Sequence, residues 1–219
     1  MDFSLSDDEA QIAEMIDRAM RRMNTCIPGI ITAFNAANQR ATVQPAIQMK
    51  VNIPGKPGYK NLPPTVNVPL VFPFASTAGF ALTLPVSAGD PCLLIFSQKA
   101  IDNWAAAGGV QPPGGGGLGL RHHSLTDAFC ILSPSPLPGV LGSWATDGIA
   151  IRNRANTQSV KVSNTQVIAT AGSAVLTLNQ DGTATLTAPG GLTLPENVNI
   201  TGTLAVTGNI TATGTITPG

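Results

Sequence analysis

The chain has 219 residues with 12 basic and 12 acidic side chains, so its formal net charge is zero and only 11% of it is charged, against about 25% in an average soluble domain. That balance excludes a disordered chain, which needs high charge and low hydrophobicity, and a long coiled coil, which needs Glu, Lys, Leu and Ala. It gives no electrostatic case for nucleic acid as a partner.

The few charges are unevenly placed. Residues 1–23 hold six acids and three bases, whereas residues 155–219 hold only Lys161, Asp181 and Glu196. The acidic start is unlike a signal peptide, which opens basic and then turns apolar. Cys26, Cys92 and Cys130 are widely spaced and odd in number, so neither a disulfide framework nor a zinc site is expected and reduced thiols are. The pattern suits synthesis in a bacterial cytoplasm.

In chain order, residues 1–27 read as an N-terminal helical arm. Ser6 and Glu9 make a capping-box pair, acids fill the first turn and Arg18, Arg21 and Arg22 the last, as the helix dipole favours. Helix is predicted over 7–23. Ile12, Met15, Ile16 and Met20 fall on one apolar face with Ala19 and Met23. That face either packs on its own domain or docks to a partner.

Residues 28–132 read as an all-β barrel. Strands are predicted over 29–34, 41–47, 66–74, 81–84 and 92–96, broken by Pro and Gly, with a turn over 35–39 and a helical turn over 101–107. No charge occurs between Lys60 and Asp90, but Pro63, Pro64, Pro69, Pro73 and Pro85 break any membrane helix there. Gly114 to Gly117 lack the Lys-Ser/Thr ending of a phosphate loop. Residues 133–148, rich in Pro and Ser, read as a linker.

Residues 149–219 read as a shaft. From 174 to 216, 15 of the 22 even positions are Ala, Val, Leu or Ile and five are Gly; most odd positions are Thr or Asn. Successive strand side chains face opposite ways, so one face is apolar and the other hydroxyl and amide. The apolar set includes Leu176, Leu178, Leu186, Leu192, Leu194, Val198, Ile200, Leu204, Val206, Ile210 and Ile216. Gly202, Gly208 and Gly214 are six apart, a short repeat of the β-helix kind in which inward Gly allows a corner. Each hexad supplies about two medium apolar residues, too few for a one-chain core. A single ribbon would also leave open edges. The expectation is an intertwined homotrimeric β-helix with Thr on its outside; the competing reading is a single-chain β-solenoid.

Catalytic signals are weak. His122 and His123 are adjacent and make a poor joint metal site. Ser124, His123 and Asp127 lack a nucleophile elbow, and no two carboxylates are paired by spacing. Neither an enzyme nor a cofactor is expected.

Two stretches carry a family resemblance. Gly89-Asp90-Pro91-Cys92-Leu93-Leu94-Ile95-Phe96 is followed by Ile101-Asp102-Asn103-Trp104. Downstream, Arg121-His122-His123-Ser124-Leu125-Thr126-Asp127-Ala128-Phe129 precedes a short apolar strand and Pro134. Together, over about residues 24–140, they resemble the N-terminal domain of the phage Gp138-type membrane-puncturing spike proteins of contractile tails. The resemblance implies an OB-like barrel per chain, three barrels about a threefold axis and a shared triple-stranded β-helix. It also implies a place in the virion, at the centre of the baseplate under a hub protein, and passage through the host outer membrane on contraction. It gives Arg121 to Phe129 a structural role in the last part of the barrel. The helix face of Ile12, Met15, Ile16 and Met20 would then anchor to the hub or to the tape-measure end. Many such spikes end in a His-x-His motif that binds iron; here no histidine follows His123, so a separate PAAR-like tip protein, or further sequence, is expected at the apex. The alternatives are a trimeric tail fibre recognising surface glycan, which needs a C-terminal head with exposed aromatics or carboxylates, and a β-helical depolymerase, which needs paired carboxylates.

Overall fold

The computed structural model describes residues 7–53, 56–114, 121–132, 134–196 and 198–214. Ser6, Gly115 to Gly117 and Ile216 lie outside them. The chain divides into two compact units, Met1–Val140 and Leu141–Gly219.

The first unit opens with helix α1 (Asp7–Met20). It stops three residues before the expected Met23. Arg21 N still bonds Asp17 O, but Arg22 N and Met23 N reach back only three residues, to Ala19 O and Met20 O, which tightens the last turn and ends the helix. Next come β1 (Cys26–Asn35), β2 (Arg40–Pro45), β3 (Met49–Ile53), β4 (Lys56–Lys60), β5 (Thr65–Val71), β6 (Phe74–Ala75), β7 (Phe80–Ala81), β8 (Pro91–Phe96), helix α2 (Asp102–Ala107) and β9 (Ala128–Leu132). The expected strand over 66–74 ends early because Pro73 follows Phe72 and cannot donate to a ladder. The one expected over 81–84 pairs only at Phe80–Ala81.

Five of these strands close a barrel in the order β1-β2-β5-β9-β8. All neighbours are antiparallel except β5 and β9, which pair in parallel at Leu70 with Cys130 and Val71 with Ile131. Closure depends on β1, whose first half pairs β8 and whose second half pairs β2. A register shift between Ile31 and Ala33 inserts Thr32 as an extra residue, and such a bulge bends a strand. Gly29 sits where β1 serves both partners. A Cβ there would lie 2.5 Å from Val43 Cγ1 and 3.2 Å from Cys92 Sγ, so only glycine fits.

The barrel core is small: Ile31, Ala41, Val43, Val68, Cys92, Leu94, Phe96, Ala128 and Cys130 are buried. On β2 burial alternates strictly, as period two demands. Cys92 and Cys130 are free thiols within it. A hydrogen bond with Cys92, then burial, pushes the Cys130 thiol well above its usual value. Outside the barrel, Trp104 of α2 meets Phe129 edge-on at 5.5 Å.

The second unit contains β10 (Gly148–Arg152), β11 (Gln158–Ser163), β12 (Gln166–Ala171), β13 (Ala174–Asn179) and β14 (Ala184–Thr187), in one antiparallel sheet of sequential order. Residues 149–187 were expected to run as shaft; they bond to themselves as hairpins instead. The turns explain the difference. Asn153 Oδ1 accepts from Thr157 N at 2.9 Å and Gln158 N at 3.2 Å. Asp181 Oδ1 accepts from Thr183 N at 2.9 Å while Gly182 takes φ +84°, the left-handed region open to glycine. Residues 188–214, as far as described, form no strand pairing within the chain.

Candidate functional site

The register of the sheet assembles a surface. Ile149, Val162, Val167, Leu178 and Ala184 lie opposite one another across the five strands. Two residues along, Ile151, Val160, Ala169, Leu176 and Leu186 form a second row. Residues two apart share a face, so both rows lie on one side of the sheet and are wholly apolar, with Gln158 polar at that side's edge. The other side holds Lys161, Thr177 and Thr185 with Ala150 and Ile168, and Ser159, Thr170 and Thr187 with Arg152 and Val175. The eight large side chains of the apolar rows are all exposed, from 39% at Val167 to 78% at Ile149. Covering what each still exposes is worth about 1 kcal/mol or more, so this face is built to be covered.

Three of the expected shaft residues, Leu176, Leu178 and Leu186, are thus brought together on the sheet. Leu192, Leu194, Val198, Ile200, Leu204, Val206 and Ile210 continue the exposed stripe beyond it, at 45–65% exposure. The chain bends at Thr201–Gly202, Thr207–Gly208 and Thr213–Gly214, every sixth residue. Within one chain a Cβ on Gly202, Gly208 or Gly214 would meet nothing within 4 Å.

The loop before β9 is a different construction. Asp127, 1% exposed, accepts from Arg121 Nε on Oδ2 at 3.0 Å, from Arg121 Nη2 on Oδ1 at 2.8 Å and from Ile101 N on Oδ1 at 3.1 Å. Arg121 also bonds Asp102 in the first turn of α2. The hydrogen bonds with Asp127, reinforced by the charges of Asp127 and Asp102, hold the guanidinium above its ordinary range. His123, at φ +47°, holds the irregular segment before β1: its Nδ1–H donates to Asn24 O at 3.1 Å, and Asn24 Nδ2 donates to His123 O at 2.7 Å. Ser124 Oγ pairs with Thr126 Oγ1 at 2.9 Å. Ser124, His123 and Asp127 therefore each serve other partners, and the structure does not line them up with one another.

Residues 27–133 match the family model of the phage protein Gp138 N-terminal domain. The barrel is a Gp138 N-terminal domain, and the chain a Gp138-type phage protein. Among curated proteins, none matches the chain. The domain places the chain among the structural proteins of phage virions.

In this Gp138-type protein the matched segment contains all of the barrel but Cys26 at its start, and the Arg121–Asp127 fork. The sheet and the hexads lie outside it. So does all of α1, where Ile12, Met15, Ile16 and Met20 are 53–63% exposed. Ion pairs Glu14–Arg18, at 2.8 Å, and Asp17–Arg21 stabilise the helix along its polar side. No helix among the described residues is long and apolar enough to cross a membrane. No group of three His, Cys, Asp or Glu among them could hold a metal ion.

Sequence reasoning missed Ile149, Ile151, Val160, Val162 and Val167. Their signal was present as two-residue alternation between evenly spaced turn pairs, Asn164-Thr165, Gly172-Ser173 and Asp181-Gly182.

Proposed function

We propose that this protein is the homotrimeric central spike of a contractile phage tail baseplate, docked to a hub and driven through the host outer membrane. The observation that carries the reading is the uncovered apolar sheet face, continued by the hexads on the same parity with Gln180 and Glu196 as its polar exceptions. Three chains about one axis bury that face and bring about six medium apolar side chains to each hexad layer. Their backbones find partners in one another, which satisfies the groups that residues 188–214 leave unpaired in one chain.

Mechanics supports it as well. Apart from Ala205 the outward residues of the hexads are Thr and Asn, and no charge follows Glu196, which falls on the inward parity. Few charges mean little ion desolvation when the shaft meets lipid. The work comes from the contracting tail, so the spike needs stiffness and no catalytic group. The Ile12, Met15, Ile16 and Met20 face of α1 is the docking element for the hub or the tape-measure end.

Tail particles carrying an affinity label on this chain test the proposal. Label on the central axis of the baseplate, with a native mass of three chains for the purified protein, is the expected result. Label along a peripheral fibre overturns it.

A further inference from the structure

The barrel carries an unmatched knob beside an unmatched hole. The knob is the ribbon β6–β7, which pairs only Phe74 with Ala81 and Ala75 with Phe80. Phe74 is 55% exposed and Phe80 is 77% exposed. A two-stranded ribbon of this size is marginal in water, and two uncovered phenyl rings make it worse. The hole is a groove of about 440 Å³ lined by Phe34, Leu70, Phe72, Pro73, Leu84 and Leu132 among others, with no charged side chain. The two are rigidly related: Leu82 N donates to Pro73 O at 2.9 Å, and Phe72 stacks on Phe74 at 5.7 Å. Phe80 nonetheless stays out of its own groove, as its exposure shows.

We propose that the β6–β7 ribbon of one copy inserts Phe80 into the groove of a neighbouring copy, clasping the barrels of the assembly together. The occupant is a second copy for two reasons. Every copy offers both halves, so one heterologous contact repeats from copy to copy, and the threefold axis of the reading above closes it into a ring. The back wall of the groove is Ile131–Leu132 at the end of β9, from which residues 133–140 lead to the unit whose apolar face needs other copies. Copies gathered by that face hold their grooves and ribbons at high effective concentration. A buried aromatic in an apolar, uncharged groove is also the usual form of an interface anchor. The inference rests on the trimeric reading above, and the test separates the two.

Chains carrying Cys26→Ser with either Phe80→Cys or Ala36→Cys, the latter at the groove rim, are co-expressed and oxidised. A disulfide-linked pair formed between the two variants is expected, together with slow hydrogen exchange over residues 74–82 that becomes at least tenfold faster in Phe80→Ser. A protein with the native mass of a trimer that neither cross-links nor protects the ribbon overturns the clasp and leaves the trimer standing. A monomeric native mass overturns both.

Discussion

Arg121 grips Asp127 through two parallel hydrogen bonds, of 3.0 and 2.8 Å, and Asp127 is 1% exposed. The carboxylate also accepts from Ile101 N, so one buried group joins the loop before β9 to the start of α2. Removing the carboxylate takes the acceptor from Ile101 N and two hydrogen bonds from Arg121, which keeps only Asp102, and losing a hydrogen bond to a charged group costs about 1.5–3 kcal/mol. Asp127→Ala should therefore destabilise the barrel by about 3 kcal/mol in urea melts. Asp102→Ala, whose side chain is half exposed on the outer side of Arg121, should cost under about 1 kcal/mol. Equal losses would show that the fork is not the anchor.

Gly29 offers a second measurement on the barrel. Alanine there must displace Val43 Cγ1 and crowd Cys92 Sγ, and overpacking of a core costs about 1–3 kcal/mol. The loss should shrink when Val43→Ala supplies room. A double-mutant cycle then returns a coupling energy of favourable sign, whereas strict additivity would place the strain elsewhere.

The sheet face is tested by comparing its two sides. Val160→Asp or Leu178→Asp puts a carboxylate into the apolar rows, where burial without a partner is costly. The trimer should fall apart to monomers in native mass measurements. Thr185→Asp, on the opposite face of the same sheet, should leave the mass unchanged. If all three variants stay trimeric, the copies meet through another surface.

How much of this was legible in the sequence depended on how local each feature is. The alternation through Leu176, Leu178 and Leu186 declares its apolar face because each residue reports its own side by parity. The helix over Ile12 to Met20 is visible for the same kind of reason, through its period and its end charges. Val160 and Val162 were harder, since their alternation about the single Lys161 is short and their cross-strand partners lie several positions away. The parallel closure of Leu70 with Cys130 joins residues 60 positions apart, and no local pattern encodes it. The Arg121 to Phe129 motif was visible as a string, but its physical content, a buried fork on Asp127, needed the fold around it.

Alkaline pH probes the barrel core. The Cys130 thiol is held above its ordinary value of 9.0 by its hydrogen bond with Cys92 and by burial, so the native state keeps a proton that the unfolded chain releases. Its stabilising contribution is complete below pH 9 and is lost as pH rises beyond it, by at most about 1.4 kcal/mol per pH unit. Urea melts from pH 8 to 10.5 should show that decline, and Cys130→Ala should flatten it relative to the parent protein. An unchanged slope would mean that Cys130 ionises as freely in the fold as in the unfolded chain.

The helix face of Ile12, Met15, Ile16 and Met20 has a role that separates cleanly from folding. It lies outside the barrel core, and the ion pairs Glu14–Arg18 and Asp17–Arg21 are internal to the helix. Deleting residues 1–23 should leave the trimer mass and the melting of the barrel within experimental error. It should abolish incorporation of the chain into tail particles, because the docking face is gone. Ile16→Asp, which keeps the helix and charges its apolar side, should do the same. Incorporation at the parental level by both variants would mean that the hub is recognised through the barrel instead.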